Sequence, residues 1–111
     1  MRQIRNYVGG RFVDGAATFA DIDPTTGATV AEVHEAGEAV VHAAVAAARA
    51  AHDGPWARTT VAERCGLLRR LADLVGSRAE DLVRAEVADT GKPEAVARTL
   101  DVARAAANFR S

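Results

Sequence analysis

A chain of 111 residues has room for one small domain, and a formal charge of −1 without a basic run argues against nucleic acid as a partner. No apolar stretch approaches the roughly 18–20 residues of a membrane span, so no membrane is expected. The opening MRQIRNYVGG is basic but has no apolar core, and a single cysteine cannot close an internal disulfide, which leaves a cytoplasmic location as the expectation.

Hydrophobic residues make up 49% of the chain, yet aromatics only 5%. Alanine supplies much of the rest and buries little area per residue. A core of this kind suits helices that pack closely against something else, as part of a larger body.

The first third reads as strands. Asn6-Tyr7-Val8 and Arg11-Phe12-Val13 flank Gly9-Gly10, a hairpin signal. Asp14-Gly15 is a turn pair. FADID and ATVAEVHEA surround Pro24-Thr25-Thr26-Gly27, a second turn with proline early and glycine late.

Helical spacing then takes over. Val41, Val45 and Ala48 follow i, i+4, i+7 in a helix that opens near Gly37-Glu38 and stops before Asp53-Gly54-Pro55. Thr60-Val61-Ala62-Glu63 is a capping-box pattern. It opens a stripe of Val61, Cys65, Leu68, Leu71, Ala72 and Val75 that Gly76 can end. Ser77-Arg78-Ala79-Glu80 reads as a second capping box, followed by Leu82, Val83, Glu86 and Val87 on one face. From Pro93 a last helix runs through Val96, Leu100, Ala103 and Ala107, and reaches Ser111 without a stop signal, as if interrupted in mid-element. Residues 1–36 are thus expected to hold the hairpin and paired strands, and residues 37–111 about four helices: an α+β piece.

DTGKPE, residues 89–94, contains a Gly-Lys pair that invites a phosphate-loop reading. The pattern G-x-x-x-x-G-K-[ST] fails at Glu86 and Pro93, two of its four fixed positions. A corner fits better. Gly91 can take positive φ past a helix end, and Pro93 suits the first turn of the next helix.

Other chemistry-bearing residues also have plain roles open to them. Cys65 lies on an apolar stripe, where a free cysteine packs as a small hydrophobe. His34, His42 and His52 have no zinc-motif spacing. Glu86 on an apolar face must be paired if buried, as a structural ion pair or as a catalytic acid. Arg98, Asp101 and Arg104 are spaced for solvated i, i+3 pairs, while Arg104 could instead face a cleft and meet a carboxylate. Pro55-Trp56-Ala57 reads as an inter-helix loop with an aromatic anchor. No G-x-G-x-x-G, G-x-S-x-G or H-E-x-x-H occurs, so the residues offer no complete active site.

The order YVGGRFVDG, DIDPTTGATVAEVHEA, an alanine-rich helix, GPWARTTVAERCGLLRRLADLV, EVADTGKP and ARAAANFR resembles the N-terminal segment of the aldehyde dehydrogenase superfamily, over nearly the whole chain. HEAG, DTGKP and ANFR look closest to semialdehyde dehydrogenases of aromatic catabolism, of the 2-hydroxymuconic semialdehyde type, with betaine-aldehyde-like dehydrogenases as the near alternative. The resemblance implies an α/β enzyme that oxidises an aldehyde to a carboxylate with NAD or NADP, through a thiohemiacetal on a cysteine. It also implies a homo-oligomer.

The family's catalytic and glycine-rich cofactor motifs match nothing here: Cys65 is not the catalytic cysteine, and no cofactor is expected to bind this chain alone. The Rossmann-like core and catalytic domain are therefore expected to lie outside residues 1–111, which would form the N-terminal part of the cofactor-binding and oligomerisation region. By the same resemblance, the backbone at Ile22 and the side chain of Asp89 are candidates for a structural monovalent cation, and Arg104 falls on the part of the last helix that borders the substrate tunnel. The competing expectation is a non-catalytic interaction module, or gene remnant, that docks on a partner.

Overall fold

The computed structural model describes all 111 residues, Met1–Ser111. It divides into two units, Met1–Ile22 with Ala28–Thr59, and Asp23–Gly27 with Thr60–Ser111.

The first unit is built on a three-stranded sheet in the order β1 (Arg2–Ile4), β5 (Thr29–Glu35), β4 (Ala17–Ile22). β1 runs parallel to β5, with Arg2 opposite Ala31 and Ile4 opposite Val33. β4 is antiparallel to β5, with Phe19 opposite Val33, and the register shifts at Asp21/Ile22. Ala31, on the central strand, is the buried residue of this unit.

β2 (Asn6–Val8) and β3 (Arg11–Val13) form the expected hairpin. Gly9 and Gly10 both hold positive φ, +58° and +83°, as a two-residue turn that follows the right-handed strand twist requires. Tyr7 and Phe12 face each other across it, ring edge to face, with centroids 5.1 Å apart. Then follow α1 (Glu38–Asp53), which contacts β2, and a single 3₁₀ turn, Pro55–Arg58. β1 had no signature in the sequence. Three residues are too few to show a period, and its partner lies 29 positions away.

The second unit is helical: α2 (Val61–Ser77), α3 (Ala79–Thr90), α4 (Glu94–Val96), a π-helical stretch (Ala97–Val102) and α5 (Ala103–Arg110). Thr60 and Glu63 close the expected capping box. The Thr60 hydroxyl oxygen accepts from the Glu63 N–H at 3.2 Å, and the Glu63 carboxylate accepts from the Thr60 N–H at 2.7 Å. Val83, Ala97 and Val102 form the buried cluster, with Val75, Ala79 and Val87 packed against it. α2 lies along α5.

Two expectations need correction. Ser77 does not cap α3. α2 runs on through it, and its hydroxyl donates back to the Leu74 carbonyl at 2.9 Å, while Glu80 is taken by Arg98. Arg78 stands at the N-cap of α3 with no side-chain cap. The last helix is also not one regular α-helix, because a π-helical stretch interrupts it.

The accessible surface is 8026 Å². Folded monomers of this mass expose about 5,800 Å². Leu67, Leu68, Leu71 and Leu74 of α2 and Leu100 of the π stretch are all exposed. No helix is long and apolar enough to cross a membrane.

Gly91 ends α3 with φ +68°, and its N–H donates to the Val87 carbonyl at 2.9 Å. A methyl group built on it would sit 2.8 Å from Pro24 Cγ and 3.0 Å from Thr25 Oγ1. Gly91→Ala should therefore destabilise the full-length protein by about 1–2 kcal/mol or more, through left-handed backbone strain and this crowding. A shift of the urea midpoint measures it; an unchanged midpoint would show that the corner relaxes freely.

Candidate functional site

The corner after α3 gathers the charged groups of the second unit. The Lys92 ammonium lies 2.8 Å from Glu86 Oε1 on α3 and 2.6 Å from Asp101 Oδ2 on the π stretch. All three side chains are partly shielded from solvent. Hydrogen bonds to Asp101 and then Glu86 raise the Lys92 pKa above its ordinary 10.5. Glu86 is thus in the structural ion pair, and the Gly-Lys pair of DTGKPE is no phosphate arm: its lysine is held by two carboxylates.

A second clamp lies further along. Arg98 donates to Glu80 of α3, with Nη2 3.0 Å from Oε2, and to Glu94 at 2.6 Å. Both carboxylates raise its pKa. Asp101 and Arg98 therefore reach off their own helix, and the solvated i, i+3 pairs with Arg104 do not form. Arg104, on α5, is exposed and makes no side-chain hydrogen bond or ion pair. Its guanidinium fork remains open to a planar carboxylate.

The remaining candidates are placed plainly. Ile22 ends β4 in the first unit. Asp89 is exposed in the last turn of α3 in the second. A backbone carbonyl and a carboxylate are both oxygen donors, the class hard cations take. Cys65 is half-buried on α2 as a free thiol. Nδ1 of His34 accepts from the Gly15 N–H at 3.1 Å, so its Nε2 donates to Gln3 Oε1 at 2.9 Å. His42 lies near Glu38 and His52 beside Asp53. Trp56 sits in the 3₁₀ turn, as an inter-helix loop residue.

An open groove of about 400 Å³ lies in the second unit, floored by Val83 and Val87 and rimmed by Asp23, Arg84 and Glu94. Its rim charges are used internally. Asp23 accepts from the Thr25 N–H at 2.7 Å, which lowers its pKa, Arg84 pairs with Asp81, and Glu94 pairs with Arg98.

The sequence profile described as "Aldehyde dehydrogenase family" matches residues 12–111. The chain belongs to the aldehyde dehydrogenase family. Over 112 residues it is 46% identical to a 2-hydroxymuconic semialdehyde dehydrogenase of Pseudomonas sp. strain CF600, covering 99% of this chain and 23% of that protein. It is 48% identical to a 2-aminomuconic 6-semialdehyde dehydrogenase of a Pseudomonas species, covering 100% and 23%. The structure of an aldehyde dehydrogenase from Bacillus cereus, described as an NAD+ complex, superposes with a TM-score of 0.94 at 40% identity, covering 98% of this chain and 23% of that one. The chain spans about a quarter of the length of these dehydrogenases. Both the family and the semialdehyde branch agree with the resemblance read from the motifs.

Sequence reading missed the Lys92 bridge. The one available signal was Glu86 on an apolar face, which demanded a partner without naming it. The Arg98 clamp has a pH signature. Its hydrogen bond holds the Glu80 carboxyl below the ordinary 4.5. A carboxylate with a depressed folded pKa adds stability that is fully present above the unfolded value and is lost as pH falls through the folded one. Glu80→Gln should therefore leave the Tm of the full-length protein less sensitive to pH below 4.5 than the wild type; parallel Tm–pH curves would show that the clamp adds nothing.

Proposed function

We propose that this chain is the N-terminal part of an NAD(P)-dependent aldehyde dehydrogenase that oxidises a carboxylated semialdehyde to the corresponding acid. What carries the reading is the match to the family along residues 12–111, joined to relatives of the semialdehyde type across the whole chain. The thiol nucleophile, the oxyanion donors and the cofactor turn belong to the rest of that enzyme, which would supply covalent catalysis with a stabilised oxyanion. The strands and hairpin serve its oligomerisation scaffold, and the helices flank its cofactor domain. Its location is cytoplasmic and its assembly homo-oligomeric. The exposed leucines of α2 form an apolar helix face, as expected of a piece that packs against the rest of a larger enzyme.

Arg104 orients the substrate's carboxylate. It is a guanidinium with no partner of its own, on the helix that the family resemblance places beside the substrate. In the full-length enzyme, Arg104→Ala should raise KM for 2-hydroxymuconic semialdehyde roughly tenfold or more and leave KM for the neutral aldehyde hexanal within about twofold, as expected for one lost charge-assisted contact. NADH formation reads both. Equal effects on the two aldehydes would remove the role.

Ile22 and Asp89 are proposed as monovalent-cation ligands in the same enzyme. Asp89→Ala should abolish any rise in Tm that sodium or potassium chloride gives over choline chloride at equal ionic strength; a rise of the same size in the variant would remove Asp89 from the site.

A further inference from the structure

The π-helical stretch Ala97–Val102 lies directly before α5, the helix that carries Arg104. A π turn holds one residue more than an α turn, and each helical residue turns the chain by about 100°. Whether this stretch is π or α therefore decides, by about that angle, which way the side chains of α5 point relative to α4.

The structure shows what holds the stretch. Its first residue, Ala97, and its last, Val102, are buried with Val83 of α3. The Thr99 hydroxyl donates to the Ala95 carbonyl at 2.7 Å, giving that backbone oxygen a side-chain partner. Arg98 ties the stretch to Glu80. Asp101 is held by Lys92, whose ammonium also grips Glu86. Lys92 belongs to none of the helices it joins. It stands between Gly91, fixed in left-handed backbone, and Pro93, whose ring fixes φ, so the backbone around it has little freedom to follow a moving Asp101.

We propose that Lys92 is a positioning residue: by clamping Asp101 to Glu86 across the corner it keeps Ala97–Val102 in its π register, and so sets the direction in which Arg104 meets the substrate carboxylate. This rests on the reading of Arg104 given above. Lys92 itself touches no substrate. Its effect is a change in carboxylate selectivity transmitted along the helix.

The test uses the full-length enzyme with 2-hydroxymuconic semialdehyde and hexanal as the probe pair, alongside amide hydrogen exchange over residues 97–104. Lys92→Met should raise KM for the semialdehyde roughly three- to tenfold through misplacement of Arg104, leave kcat and the hexanal KM within about twofold, and speed exchange over 97–104. Lys92→Arg keeps a charge that can reach both carboxylates and should restore the wild-type KM ratio. Asp101→Asn weakens the same clamp from its other end and should reproduce Lys92→Met should that variant fold poorly. An unchanged KM ratio in Lys92→Met, with Arg104→Ala still selective, overturns the proposal. So does an equal rise for both aldehydes, the mark of a merely structural lysine. An unselective Arg104→Ala would instead place the fault in the substrate reading, and the positioning role falls with it whatever the exchange shows.

Discussion

The helical unit depends on the close contact between α3 and the π-helical stretch. Ala97 makes it possible: with only a methyl group to place, it lets the stretch approach Val83 until both are sealed from water. Around that small apolar centre stand two charge clamps, Glu80–Arg98–Glu94 and Glu86–Lys92–Asp101. Such exposed or half-exposed pairs contribute little stability one by one. Their value is directional. Arg98 ties the π-helical stretch to Glu80, and Lys92 ties its Asp101 to Glu86.

The same composition explains why so much apolar surface stays open. A helix bearing alanines and leucines covers its small side by close packing within the unit, and presents its leucines outward. The aldehyde dehydrogenases that this chain matches are several times longer than it. The buried cluster of Val83, Ala97 and Val102 is what the segment closes by itself.

Much of the architecture was legible because it is local. Gly9-Gly10 needs only its own two residues to make the hairpin turn, and both take positive φ. Thr60 and Glu63 satisfy each other's free N–H groups within one helical turn. Gly91 adopts the left-handed conformation that its place after α3 demanded. The pattern failed where a local option met a distant competitor. Ser77 and Glu80 have the residue types of a capping box, but Glu80 finds Arg98, 18 positions along, and the box does not form. β1 exists because β5 offers it an edge. For the proposed site, spacing offered Arg104 either an i, i+3 pair or a cleft-facing role, and the family resemblance set it on the substrate side. That it is unpaired, while Arg98 and Asp101 are engaged elsewhere, is a fact of packing.

By itself the sequence determined the run of strands followed by helices, the turns between them and the family, since these follow from backbone preferences over a few residues and from motifs in a set order. The tertiary structure decided the register of the last helix, the partners of Lys92 and Arg98, and the freedom of Arg104. Those outcomes depend on which charges and which small side chains meet across elements far apart in the chain, and spacing along the chain carries no record of that distance.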